Sequence, residues 1–236
     1  MQKISLFFLI LFMQMLLISP VLFSQSPGGI PIVDHRYCLS YLLAAEQEQI
    51  DQEIRRLEAF LESPGSNTSK GELDLVRYAA GVLHSYRYIR TEKKDDAFRS
   101  KDLLETVQEG FDDQELFTVH LGMAHAFVAG IRTIFGVSNL KKMEEELQSI
   151  PEKHPDWLIR FLRGTTSLQV GRALPGVFTI KDIKRQAIEV GSEDLRYVIR
   201  LYEQSGIEDF DPASYNFDRR PVPRAVAAQA RKVLEE

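Results

Sequence analysis

Cysteine is nearly absent from the chain: Cys38 is the only one among 236 residues. One thiol cannot form an internal disulfide, so the fold must be held together by other contacts. The residue is also a poor lipidation site, because His35, Arg36 and Tyr37 stand where a lipoprotein signal has small and aliphatic residues. We interpret Cys38 as a small side chain on a helix, and the alternative is a reactive thiol.

Recognisable catalytic and metal-binding motifs are missing as well. The five histidines form no H-E-x-x-H pair, and no G-x-S-x-G elbow or phosphate-binding loop occurs. His120 and His125 are five positions apart, which turns the two rings about 140° away from each other on a helix. The acidic clusters lack the alternating ligands and central glycine of a calcium loop. The sequence therefore predicts no catalytic residue, no metal site, no cofactor and no enzymatic activity.

The chain has no excess of positive charge. Its formal net charge is −5, from 29 Lys and Arg against 34 Asp and Glu. A mildly acidic chain is a poor ligand for rows of phosphates, which argues against nucleic acid and an anionic lipid surface as partners of the folded part. We expect an unidentified protein partner, or else a small anion.

The N-terminus holds the one long apolar run. A lysine precedes apolar residues over 4–23, which is the charged start and apolar body of a signal peptide. Pro20 breaks the run and Ser24 offers a small residue for cleavage, so 1–24 is predicted to be a signal peptide and 25–36 a linker. The alternative is an uncleaved anchor, because a membrane span needs roughly 20 such residues. Either outcome exports the chain to the periplasm or cell envelope.

Helical spacing of apolar residues runs through nearly all of the remaining chain, and no segment shows strand-like alternation between turn signals. The fold is therefore predicted to be all-α. We expect an N-terminal cap helix within 37–66, helical repeats over 67–205, and a proline-rich connector with a C-terminal helix over 206–236. That last helix is expected to cap the array or to exchange with a neighbouring chain. Ser69 and Glu72 predict a capping box where the first repeat helix begins.

The repeats have a period of about 41 residues. Gly81 and Gly122 are 41 positions apart, and Gly164 follows after 42 more. Such self-similarity is typical of helical solenoids. A glycine inside a helix costs about 1 kcal/mol relative to alanine, so its return at one register predicts that two helices cross closely there. His84 and His125 share another register position, where we expect a structural role rather than a ligand or proton-transfer role.

Within each unit, an aliphatic residue and a glycine are followed, after two spacers, by an aromatic residue or histidine, and His154-Pro155-Asp156-Trp157 looks like a boundary before the third unit. This pattern, over roughly 72–202, resembles a degenerate tetratricopeptide repeat of bacterial envelope proteins. The resemblance implies a right-handed solenoid of about three helix pairs with flanking cap helices. A period of about 41 also lies within the range of HEAT-type units, which remain an alternative.

Aromatic and basic residues gather in the third unit. The candidate binding surface consists of Trp157, Arg160, Arg163, Arg172, Lys181 and Arg185. Beside the break at Leu174-Pro175-Gly176, such residues can shape a pocket for an anionic group or a partner's segment. The alternative is a connector whose aromatic side chains belong to the core and whose cations are solvated.

These features predict a non-enzymatic scaffold of the cell envelope that presents the concave face of a solenoid to a protein partner. The alternative is a periplasmic accessory protein that binds an anionic small molecule, because the chain also resembles the helical-repeat lipoproteins that accompany TRAP-type transporters. Those proteins carry a lipidated cysteine, which this chain lacks.

Overall fold

The computed structural model describes residues 30–108, 113–131, 136–174 and 181–236. The predicted signal peptide, most of the linker and the Pro175-Gly176 break lie outside the described residues. Regular structure within these ranges is helical, with an isolated bridge between Ile207 and Pro223 and no strand. The all-α prediction is confirmed.

The helices of these ranges are α1 (His35–Leu39), α2 (Gln47–Glu62), α3 (Lys70–Thr91), α4 (Lys94–Glu105), α5 (Gln114–Ile131), α6 (Gly136–Ser149), α7 (Trp157–Ala173), α8 (Lys181–Ser205) and α9 (Arg224–Glu235). A π-helical turn (Ser40–Ala44) continues α1. Long helices that follow each other pack together, α3 on α4, α5 on α6 and α7 on α8. At the two ends, α2 packs on α3 and α9 packs on α8.

The N-terminal cap is broken rather than one continuous helix. The chain is extended at Ala45, between the π-helical turn and α2. The cause is local, because Glu46 caps α2 and a cap residue has non-helical backbone angles. Its N–H donates to Gln49 Oε1 at 2.7 Å, and its side chain accepts from the Gln49 N–H in return. The single helix expected from about residue 37 is therefore wrong in its first part.

The capping box at the start of α3 is confirmed. Ser69 Oγ accepts from the Glu72 N–H at 3.2 Å, and the Glu72 carboxylate accepts from the Ser69 N–H at 2.7 Å. Both hydrogen bonds satisfy backbone donors that have no partner inside the helix. The starts of α5 and α7 use the same chemistry, since the carboxylates of Asp113 and Asp156 accept from backbone N–H groups of the first turn.

Each glycine of the repeat register lies against the helix that follows it. A methyl group on Gly81 would lie 2.7 Å from Leu104 Cγ of α4, and one on Gly122 would lie 2.6 Å from Leu147 Cδ2 of α6. A methyl group on Gly164 would lie 2.9 Å from a side-chain carbon of α8. These separations are too short for carbon atoms, so a side chain at any of the three positions would push the paired helices apart.

The terminal segments cover one side of α3, α5 and α7. A cavity of about 50 Å³ lies there, lined by residues of these three helices together with the π-helical turn and α9. Leu42 of the turn, Phe161 of α7 and Val226 of α9 are among its lining residues. At the end of α3, Arg90 donates to the Tyr41 carbonyl at 2.8 Å and so holds the turn in place.

We expect Gly122→Ala to lower the free energy of unfolding by about 1 to 2 kcal/mol, because the overpacking of Leu147 outweighs the gain in helix propensity. Gly71→Ala is the control, since Gly71 lies in α3 with no atom within 4 Å of the added methyl group. It should raise the free energy of unfolding by up to about 1 kcal/mol. Urea denaturation measures both, and equal effects of the two substitutions would contradict the crossing at Gly122.

Candidate functional site

Three residues of the predicted surface are buried. Trp157, Arg160 and Arg163 are 3%, 4% and 1% exposed, so the prediction that they form a surface is wrong. The physical reason is Asp194, which brings a carboxylate into the contact between α7 and α8 and compensates both cations. The alternative prediction was a connector with aromatic side chains in the core and solvated cations. It holds for Trp157, which is buried, but fails for Arg160 and Arg163, which are not solvated.

Asp194 binds both arginines directly. Its Oδ1 accepts from Arg160 Nε at 2.7 Å, and its Oδ2 accepts from Arg163 Nε at 2.6 Å. The Arg160 guanidinium also lies over the Tyr197 ring, 4.1 Å from the ring centroid. Arg163 donates its other N–H groups to carbonyls that follow α6, namely those of Ile150, Pro151 and Glu152. Both cations therefore join α7 to α8, and Arg163 also holds the loop between α6 and α7.

The other three residues of the predicted surface lie apart. Arg172 donates to the carbonyl oxygens of Val233 and Leu234, at the end of α9. Lys181 and Arg185 are exposed in the first turns of α8, where Arg185 pairs with Asp182 at 3.1 Å. The six residues do not converge on one pocket, so the predicted surface is corrected as a whole.

His84 of the repeat register bridges three helices. Its Nδ1 lies 2.8 Å from Asp96 Oδ1 of α4, and its Nε2 lies 3.2 Å from Glu58 Oε1 of α2. Burial by itself would raise the pKa of Asp96, but the hydrogen bonds from His84 and Arg87 outweigh it and hold the pKa below its usual value. The imidazole links α3 to the helices before and after it and is 3% exposed. His84 therefore has the contacts of a structural residue.

His125 repeats that arrangement one unit later. Its Nδ1 lies 3.3 Å from Asn139 Oδ1 of α6, and its Nε2 lies 3.7 Å from Glu105 Oε1 of α4. Burial lowers the pKa of His125, so the ring is more readily neutral than a free histidine. Ser167 holds the corresponding position of the third unit and is buried as well. The register is thus occupied by polar groups that face neighbouring helices, not solvent.

A charged cluster that joins the two ends of the chain was missed by sequence reasoning. His35 Nε2 lies 2.6 Å from Asp156 Oδ2, and Arg220, 185 positions after His35, binds the same carboxylate. The Trp157 indole N–H donates to the Arg220 carbonyl at 2.6 Å. Arg220 has a positive φ of 45°, a backbone strain that the surrounding contacts must offset. No local motif signals contacts between residues so far apart in sequence.

Two buried groups that looked chemically interesting are inert. Burial raises the pKa of the Cys38 thiol well above its usual value, which keeps it protonated and excludes the reactive-thiolate alternative. Burial likewise lowers the pKa of His120 to about 4. Its Nε2 lies 3.0 Å from the Tyr86 hydroxyl and its Nδ1 lies 2.8 Å from the Leu116 carbonyl, so the neutral ring is a core hydrogen-bonding group.

An open groove of about 1150 Å³ runs between α6 and α8. Two members of the predicted surface, Arg163 and Arg185, line it. Arg196 and Arg200 lie along it on α8 and are exposed. In the part of the chain that the structure describes, neither of these two arginines has an ion-pair partner. The groove therefore combines unpaired cations with a volume that can hold a ligand or a polypeptide segment.

No protein-family model, no curated protein and no solved structure matches this chain. Function therefore rests on the geometry. Within the described ranges, His, Cys, Asp and Glu side chains nowhere gather in threes in a way that would hold a metal ion. In the same ranges, no helix combines the length and apolar character needed to cross a membrane.

We expect Asp194→Asn to lower the free energy of unfolding by about 3 to 5 kcal/mol, because it removes the buried counter-charge of two guanidinium groups and leaves Arg160 only the more distant Glu193, at 4.0 Å. The control is Glu203→Gln, which removes an exposed ion pair with Arg231 and should have little effect. Urea denaturation at neutral pH compares the two. A loss below about 1 kcal/mol for Asp194→Asn would show that the buried pairing is not needed for stability.

The cluster at Asp156 predicts a pH dependence. Burial would raise the pKa of Asp156, but the contacts with His35, the Leu158 N–H and Arg220 outweigh it and lower the pKa below 3.8. A carboxyl whose pKa is lower in the folded state stabilises the fold above its unfolded pKa, and this stabilisation is lost as the pH falls through the folded pKa.

Asp156→Asn keeps the helix cap and removes the charge. The stability advantage of the wild-type chain over this variant should be present at about pH 5 and should shrink progressively as the pH falls further and Asp156 is protonated in the folded state. Denaturant titrations at successive pH values measure the difference. An advantage that grows as the pH falls would contradict the prediction.

Proposed function

We propose that this chain is an exported, non-enzymatic scaffold that binds a protein partner in the cell envelope. Its body is proposed to be a right-handed solenoid similar to tetratricopeptide repeats, with α3/α4, α5/α6 and α7/α8 as the three helix pairs. What supports this arrangement is the recurrence of one glycine-to-helix contact in all three pairs and of the histidine bridge in the first two.

Export is proposed from the apolar run over 4–23 alone. That segment lies outside the described residues, and the choice between a cleaved signal peptide and an uncleaved anchor stays open.

The partner is proposed to bind the groove between α6 and α8. In a solenoid of this kind the side formed by α3, α5 and α7 would be the concave face, but here the π-helical turn and α9 already cover that side. The observation that carries the proposal is the open groove of about 1150 Å³ with Arg196 and Arg200 unpaired along it. Two exposed like charges one turn apart are unfavourable without a partner, so a bound anionic group would relieve them.

The small-molecule accessory is the weaker candidate. The arginines on which it depended, Arg160 and Arg163, are buried and paired with Asp194, and Arg163 also donates to the Ile150 carbonyl. Arg172 is used to hold α9.

The scaffold proposal predicts that the double variant Arg196→Glu/Arg200→Glu loses the partner. The tagged full-length chain is expressed in its native host, crosslinked and purified from the envelope fraction, and recovered proteins are quantified by mass spectrometry. We expect at least about tenfold lower recovery of a specific protein, since a like-charge contact in an interface costs several kcal/mol.

The matched control, Arg55→Glu/Lys94→Glu, changes the charge equally at exposed positions of α2 and α4 and should keep wild-type recovery. All three chains should melt at the same temperature. Equal recovery with all three, or co-purification of an acidic metabolite without a protein, would overturn the proposal.

A further inference from the structure

The volume of the groove is comparable with that of one short α-helix that is half-embedded in it. A helix with side chains is about 11 Å wide, and three to four turns are about 20 Å long, so half of such a cylinder occupies about 950 Å³. The groove volume of about 1150 Å³ is close to that figure. Its long walls are themselves two helices, α6 and α8, and α7 contributes Ser167 between them.

The groove lining combines apolar side chains with charged ones of both signs. Leu147 and Ala187 are buried in it, and Ile183 and Ile188 are half-buried. Burying such side chains is worth about 25 cal/mol for each Å² removed from water. A partner that offers an apolar stripe with polar flanks matches this lining, and an amphipathic helix has that pattern.

Charged side chains of both signs line the groove along α8. Arg185 and Glu189 are exposed in the first half of the helix, Glu193 is half-buried beyond them, and Arg196 and Arg200 follow Asp194 by two and six residues. On the opposite wall, α6 contributes Glu144. Because Arg196 and Arg200 have no ion-pair partner among the described residues, a complementary helix carries carboxylates opposite these two arginines.

The boundary between α4 and α6 differs in its charge pairing. There, Lys142 Nζ binds Glu105 Oε1 at 2.6 Å. Between α6 and α8, the described residues form no ion pair, and Arg196 and Arg200 stay exposed. These two arginines thus lack the carboxylate partner that Lys142 has at the preceding boundary.

We infer that the groove between α6 and α8 binds an amphipathic helix of the partner protein, whose carboxylates pair with Arg196 and Arg200. This inference rests on the proposed scaffold function and adds the chemistry of the partner. A lipid, a small anion and a second copy of this chain are the other occupants, and the experiment separates them.

Photo-crosslinking from within the groove tests the inference. The full-length chain carries p-benzoylphenylalanine in place of Gln148 on α6 or Gln186 on α8, two exposed residues of the groove lining. Gln52 on α2, which is exposed and distant in sequence from the groove residues, is the control position. Irradiated envelope fractions are purified, and the crosslinked peptides are mapped by mass spectrometry.

Both groove positions are expected to label the same partner segment. The sequence of that segment should have the spacing of an amphipathic helix, with two carboxylates three or four residues apart. Gln52 should not label it. Arg196→Glu/Arg200→Glu should reduce the adduct by about tenfold, and changing the partner's two carboxylates to lysine should restore it to within about twofold, because the charge pairs are re-formed with opposite sign.

A labelled segment without carboxylates, adducts to lipid or to a second copy, or failure of the lysine exchange to restore the adduct would overturn the inference. The same holds if neither groove position gives an adduct. If partner recovery still depends on Arg196 and Arg200 in any of these cases, the scaffold proposal stands and only the helix assignment fails. If partner recovery does not depend on Arg196 and Arg200, both the scaffold proposal and the helix assignment are overturned.

Discussion

The geometry of the groove depends on one buried carboxylate. Asp194 pairs with Arg160 and Arg163 inside the α7/α8 contact, and Arg163 in turn holds the carbonyls that follow α6. One side chain therefore couples three helices: it sets the distance of α8 from α7 and, through Arg163, the position of the end of α6. Because α6 and α8 are the walls of the groove, its width follows from this triad.

Buried ion pairs of this kind contribute to specificity more than to net stability. Removing two guanidinium groups and a carboxylate from water has a large desolvation penalty, which their mutual attraction only offsets. What the triad excludes is any packing that separates the three charges, since an unpaired buried charge is far more costly. The glycine contacts act in the same direction, because Gly191 of α8 approaches the Leu168 backbone so closely that a methyl group would lie 2.7 Å from its nitrogen.

Sequence reasoning succeeded where the signal was local or periodic. The all-α fold followed from apolar spacing, the capping box from four adjacent residues, and the glycine register from a fixed period. It failed for Arg160 and Arg163, because cations beside aromatic residues look like a surface until Asp194, 31 and 34 positions away, is seen to face them. No rule of spacing pairs residues on different helices at such a distance.

The terminal segments escaped sequence reasoning for the same reason. The contact of His35 with Asp156 and Arg220 joins both terminal segments to the start of α7, and no motif links the three residues. The consequence for function was larger than for the fold, since α9 and the π-helical turn cover the side on which the partner had been expected. The groove was invisible for a further reason: a surface concavity depends on the relative placement of helices, whereas hydrophobic patterning reports only which face of each helix is buried.

The groove that we propose as the binding site is held by buried contacts. Its walls are tied through Arg163 and Asp194, both 1% exposed, so the proposed binding of a helix would not require α6 or α8 to be reordered. Association then loses less conformational entropy than it would on a flexible surface. The remaining cost falls on the partner segment and on the side chains of Arg196 and Arg200, which are exposed and must be ordered on binding. In the proposed complex, the walls joined by Asp194 and Arg163 would determine which shape is accepted, while the two exposed arginines would determine which charge is accepted.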